Sequence, residues 1–261
     1  MAQRLAHPLA PGTLAAVVAL VVGLTAGPGA ALTVAGVAFG PVDGLVHPVQ
    51  IAPTATEITA YDGLMAAAAA GDADRIRALV AAGANTDERD ARGRTPLMVA
   101  IYGRHHDAAK TLIALGADDA ALDNQRYDAV TIASASASVI DDPVSLRLLI
   151  EAGADAGLMT SPYDGAALIA AAHLGHVAVV RELIAAGAPL DHVNNLGWTA
   201  LIEAIVLGDG GAAHTAVVRD LIEAGADLNL PDRRGVTPLG LARARGYDAM
   251  ARLLQAADAA E

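Results

Sequence analysis

GRTPLMVAIYGRHHDAAKTLIALGAD, residues 93–118, is the stretch whose reading decides the fold. Thr95 stands before Pro96 and an apolar run, Leu97 to Ile101. A hydroxyl at an N-cap accepts from a free amide of the first turn. Proline suits the first helical position, where its missing N–H would have had no partner. Thr95-Pro96-Leu97 therefore reads as a helix start. A second helix follows from His106 to Leu115, with Ala108, Ala109, Leu112 and Ile113 at helical spacing. Gly116 closes it where a left-handed cap wants glycine, and Ala117-Asp118 leads out. The whole is a pair of short helices with a turn at each end.

The unit recurs. Gly-Ala pairs end apolar helices at Gly83, Gly116, Gly153, Gly187 and Gly225, in steps of 33, 37, 34 and 38 residues. Leu64, Leu97, Val130, Leu168, Leu201 and Leu239 fall at one place in six successive units. A period near 33 with Thr-Pro-Leu opening the unit resembles the ankyrin repeat, a β-turn plus two helices. The resemblance covers residues 60 to 261 and implies an all-α ankyrin-repeat solenoid of about six repeats, near 60–90, 91–123, 124–160, 161–193, 194–230 and 231–261. The repeats depart from the family pattern in places. Met98 stands where histidine is favoured, and Arg104 stands at the helix-turn glycine, with Gly103 beside it. Unit three replaces Thr-Pro-Leu by Asp128-Ala129-Val130. The inter-helix connections of units three (134–143) and five (Gly208 to Thr215) are longer than the norm. On the outer side of the stack they are candidates for touching a membrane or a second subunit.

The first 39 residues are different. Arg4 is the only charge before Asp43, and Leu14 to Ala26 is apolar, followed by Gly27-Pro28-Gly29 and a second apolar run to Phe39. Two readings stand: a secretory signal peptide cleaved after Ala31 or Ala38, or an uncleaved membrane anchor from about 14 to 39, long enough to span. Either implies export to the periplasm or another extracytoplasmic space, with a membrane tether in the second case. Residues 40–59, with three prolines and no periodicity, read as a linker.

Composition narrows the function. Aromatics make up 3% of the chain and there is no cysteine, which excludes disulfides and thiolate chemistry. Net charge is −12, and from residue 60 onward 16 basic residues face 27 acidic ones. Such a domain is poorly matched to nucleic acid or anionic lipid. His173 and His176 share a helix face, but the second fills a position set by the repeat. Adjacent His105 and His106 point apart on a helix and read as a solvated pair rather than metal ligands. Gly208-Asp209-Gly210-Gly211 lacks the Lys-Ser/Thr of a phosphate loop. No constellation supports catalysis, a metal or a cofactor.

The resemblance also implies a surface: ankyrin domains bind partners on the concave face of turn tips and first helices. Carried over position by position, it points to Arg92, Arg94 and Tyr102; Gln125 and Tyr127; Tyr163 and His173; Asn195 and Trp198; and Arg233, Arg234 and Arg245. The single tryptophan and three of the five tyrosines fall there, residue types enriched in binding hot spots. The expected function is a non-catalytic protein–protein interaction module or scaffold in the bacterial envelope with an unidentified protein partner. The alternative is an inhibitor or immunity-type protein that blocks a secreted enzyme or toxin.

Overall fold

The computed structural model of the protein describes residues 33–34, 37–38, 50–135 and 142–260. It divides at Val49 into two units. In the first, strand β1 (Thr33–Val34) pairs antiparallel with β2 (Val37–Ala38), Val34 opposite Val37. The rest of the export segment read at 1–39 lies outside the described residues. Among the described residues, no helix is long and apolar enough to cross a membrane.

The second unit, Gln50–Glu261, is all helical. It opens with α1 (Ala55–Ala60) and continues as six helix pairs: α2 (Gly63–Ala70) and α3 (Ala73–Ala81), α4 (Pro96–Tyr102) and α5 (His106–Ala114), α6 (Ala129–Ala135) and α7 (Pro143–Glu151), α8 (Ala167–Leu174) and α9 (Val177–Ala185), α10 (Ala200–Val206) and α11 (Ala212–Ala224), α12 (Pro238–Ala244) and α13 (Asp248–Ala256). First helices stack on first helices and second helices on second helices, giving two layers. The core is continuous between them. Leu64, Leu97, Val130, Leu168, Leu201 and Leu239 are all buried in one row, so the register read from the sequence holds. Small alanines in both layers let neighbouring units approach closely.

Local signals act where the sequence placed them. Thr95 Oγ1 accepts from the Met98 amide, and Pro96 is the first helical residue. The Met98 sulfur stands in for the missing imidazole, 3.4 Å from the Thr95 amide. Gly116 is left-handed, with φ +86°. Arg104 itself takes the left-handed conformation at φ +56°, whereas Gly103 is right-handed at φ −79°, so the neighbouring glycine does not serve as the turn residue.

Two segments differ from expectation. Residues 55–60, all but the last within the stretch read as linker, form a helix. Its capping box joins Thr54 Oγ1 to the Glu57 amide and the Glu57 carboxylate to the Thr54 amide. In unit five, α11 starts at Ala212, so half of the expected loop is an added helical turn. The remainder is covered by Tyr247 of unit six, whose hydroxyl donates to the Gly208 carbonyl at 2.9 Å. That connection is an inter-repeat contact. Most of the longer connection in unit three, 136–141, lies outside the described residues.

Tyr247 belongs to a ladder. At the start of each of four second helices, one side chain reaches back to the carbonyl end of the preceding unit's first helix. His105 Nε2 donates to Ala69 O at 2.9 Å, His176 Nδ1 to Ser134 O at 3.1 Å, and His214 Nε2 to His173 O at 2.9 Å. The pairing of His105 with solvent expected from its neighbour His106 is therefore corrected: His105 is an inter-repeat bond donor. The ladder also explains a glycine. A Cβ on Gly71 would sit 2.7 Å from His105 Nδ1, whereas one on Gly83 would meet nothing within 4 Å. Both residues are left-handed. Gly83→Ala is expected to cost about 1–2 kcal/mol of backbone strain. Gly71→Ala should add the lost bond, reaching ~2–3 kcal/mol. Urea midpoints compare them, and equal losses would remove His105 from the account.

Candidate partner-binding face

Each unit after the first begins with a tight turn built on one polar side chain. Asp90 Oδ1 accepts from the amides of Arg92 and Arg94. Asp123 Oδ1 does the same for Gln125 and Tyr127, and Ser161 Oγ for Tyr163 and Gly165. Asn194 Oδ1 takes Leu196 and Trp198, and Asp232 Oδ1 takes Arg234 and Val236. Asp, Asn and Ser accept this way because their short side chains reach amides two and four residues on. Successive turns are also joined: the Asn124 amide donates to Arg92 O, and the Asn195 amide to Tyr163 O, each at 2.9 Å. The tips of units two and three, and those of units four and five, are thus bonded to each other along the rim of the first-helix layer.

The structure sorts the twelve residues carried over from the family pattern. Arg92 is exposed and Gln125 half-buried, and both border a shallow depression with Ile51, Ala91, Asp123 and Asn124. Tyr163 and Trp198 are half-buried on the rim, and Asn195 and Arg233 are exposed, with Arg233 donating to the Asn195 carbonyl. Arg234 is exposed and bonds Asp232 at 3.2 Å. Arg245 is half-buried near Arg234, and burial first, then that second guanidinium, lower its pKa. His173 is partly buried between units four and five.

Three of the twelve are not surface residues. Arg94 is 1% exposed, Tyr102 7% and Tyr127 6%. Burial pushes both tyrosine hydroxyls up in pKa. In this arrangement they are packing groups. Arg94 is held by Asp90 Oδ2 at 2.7 Å, the Tyr61 hydroxyl at 3.0 Å, the Ile51 carbonyl at 2.9 Å and Glu57 Oε1 at 3.1 Å. Glu57 also receives Arg92 Nε at 2.9 Å. The Thr54 amide first, then Arg92, hold the Glu57 carboxyl down to about 2. Further back, Gln50 Nε2 donates to Thr131 O in α6 at 3.0 Å. Residues 50–61 therefore run along the rim from unit three to unit one and cover part of the expected binding face.

The sequence held one signal for this strap. Thr54-Ala55-Thr56-Glu57 has the capping-box spacing, and the prolines around it pointed the other way. A second residue outside the twelve, Glu203, is buried in α10 beside His173 and Asn194.

The model of the family "Ankyrin repeats (3 copies)" matches residues 64–155 and 135–232. The ankyrin repeat protein YahD of Escherichia coli K12 is 36% identical over 194 residues, 74% of this chain and 94% of that protein. An ankyrin repeat domain from Acinetobacter baumannii, solved as a crystal structure, is 44% identical, with a TM-score of 0.70 over 76% of this chain and 98% of that one. A chain from the Bdellovibrio bacteriovorus complex of the predatory endopeptidase Bd0816 with immunity protein Bd3460 is 25% identical. It superposes with a TM-score of 0.62 over 75% of this chain and 98% of that one.

Proposed function

Because this chain belongs to the ankyrin-repeat family, we propose that it is a non-catalytic binding module whose partner docks on the turn rim of units four to six. The observation that carries this reading is the division of the rim. The chain's own residues 50–61 engage Arg94 and Arg92 of unit two through Ile51 and Glu57, and reach unit three through Gln50. Tyr163, Asn195, Trp198 and Arg234 remain at least partly exposed beyond them. Aromatic and arginine side chains with apolar bodies and polar ends suit a desolvated hot spot. An extracytoplasmic setting, with or without a membrane tether, is part of the same proposal and rests on the apolar run before residue 40.

A second reading is an inhibitor or immunity-type protein. The likeness to a chain of the endopeptidase–immunity complex favours it. The two are separated by stoichiometric addition to the captured partner, which an inhibitor silences and a scaffold leaves active.

The experiment is a crosslinked capture from cell envelopes with wild type and with Trp198→Ala plus Arg234→Ala. The Trp198 change alone should weaken binding by about 2 kcal/mol. A protein held by wild type and lost by the double variant supports the rim of units four to six. Identical captures by both baits would move the site elsewhere.

A further inference from the structure

Glu203 stands in a row that is otherwise apolar. Two residues after the buried leucine or valine of each first helix stand Ala66, Val99, Ile132, Ala170, Glu203 and Leu241. Glu203 is 4% exposed. Its Oε1 accepts from Asn194 Nδ2 at 2.8 Å. Its Oε2 has no hydrogen-bond partner, and neither does His173 Nε2. His173 Nδ1 is 3.8 Å from Glu203 Oε2, beyond hydrogen-bond range but within a small side-chain rotation of it. Unit five is also the unit whose turn is built on asparagine; units two, three and six use aspartate. Only the amide can donate to the carboxyl beside it.

Burial disfavours the charged form of both groups. It pushes Glu203 up to about 8 and, with His214 and His176 adding to it, His173 down to about 4. Between those values the pair holds one proton, and it sits on Glu203. The other groups around the pair are Tyr163 from the unit-four turn, Asn194 from the unit-five turn, His176 from the start of α9 and His214 from α11, and the matching row position of α12 is the buried Leu241.

We propose that Glu203 and His173 are a one-proton latch that couples pH to the position of the unit-five turn. In the closed state Glu203 is a neutral acid, stored between units four and five. When the O–H bond breaks and the proton passes to bulk water, the pair goes from neutral to −1. The carboxylate, still held by Asn194, is driven toward solvent. Asn194 also accepts the Trp198 amide at 3.0 Å, so the turn and its indole move with it. The latch places a pH-sensitive element directly under the rim read above as the binding face, but its chemistry does not depend on that reading.

The stability signs follow. Glu203's raised pKa contributes stability fully present below its unfolded value of 4.5 and lost as pH rises toward 8. His173's lowered pKa makes stability rise with pH from about 4 to 6.5. The two slopes oppose each other from 4.5 to 6.5, and only the fall remains from 6.5 to 8.

Trp198 is the sole tryptophan of the chain, so its emission reads the latch in the full-length protein. A one-proton change in emission centred near pH 8 is expected in wild type, at constant far-UV circular dichroism. Glu203→Gln should abolish it, and should widen its urea-midpoint advantage over wild type between pH 6.5 and 8. Asn194→Asp, which puts a second carboxyl beside the first, should move the centre up by at least one unit. A flat wild-type profile from pH 6.5 to 9.5 would overturn the proposal. So would a transition that persists in Glu203→Gln, or a centre unmoved by Asn194→Asp.

Discussion

Arg94→Ala is expected to destabilise the domain by about 3–5 kcal/mol, the range for removing one partner of a buried ion pair. The arginine is 1% exposed and its partner Asp90 has a side-chain exposure of 7%. Its removal strands three groups at once. The Asp90 carboxylate loses its cation, the Tyr61 hydroxyl loses a donor, and the Ile51 carbonyl loses the one side chain shown to reach it. Arg92→Ala is the internal control. Arg92 touches the same Glu57, but its side chain is 45% exposed, and an exposed pair is worth about 0–1 kcal/mol. Arg94→Lys should recover only part of the loss, because an ammonium cannot match the fork that serves a carboxylate, a hydroxyl and a carbonyl together. Urea midpoints of the three variants decide it. Equal midpoints for the Arg94 and Arg92 variants would mean that the strap is not anchored through Arg94. Asp90, whose pKa is lowered by Tyr61 and Arg94 against the opposing effect of burial, adds a pH signature. Its contribution is present above the unfolded value and lost as pH falls through the folded one. The wild type should therefore lose more stability on acidification than Arg94→Ala does.

Arg94 also marks where reading the sequence stops. Thr95-Pro96-Leu97 and Gly116 are local signals, and each does what its neighbours in the chain dictate. The six-fold leucine row is legible because the period repeats it. Arg94 follows a turn glycine, which is where a surface arginine would stand. Its burial depends on Ile51, 43 residues earlier, and no local pattern announces that distance. His105 has the same history. As one of two adjacent histidines it reads as solvated, and it is placed by Ala69, 36 residues away. The added turn of α11 is a different failure. Glycines at 208, 210 and 211 argue for a loop, yet the alanines after them are good helix formers, and Tyr247 packs the rest down. Glu203 lies between these cases. Its position was readable from the leucine register, as the one acid in an apolar row. Its partners and its protonation were not, because they follow from burial against His173 and Asn194.

Leu97→Ala tests the other large term, apolar stacking between units. Leu97 is fully buried in α4, with α2 on one side and α6 on the other. A cut from leucine to alanine at such a site is expected to cost ~2–5 kcal/mol, through lost transfer free energy and the cavity left behind. The size within that range depends on how far the surroundings collapse. An interior unit has neighbours on both sides, so collapse there must draw on two interfaces. Leu239, at the same row position in α12, is 2% exposed but belongs to the last unit, and among the first helices it stacks on α10 alone. Leu239→Ala should therefore fall toward the lower end, near 2 kcal/mol. The interior variant should lower the urea midpoint of the whole array, whereas the terminal one should first loosen α12 and α13, visible as early amide exchange confined to those helices. An unchanged midpoint for Leu97→Ala would contradict the repeat register itself. Equal losses at both sites would mean that the array unfolds as one block and that a unit's position in the stack does not set its stability.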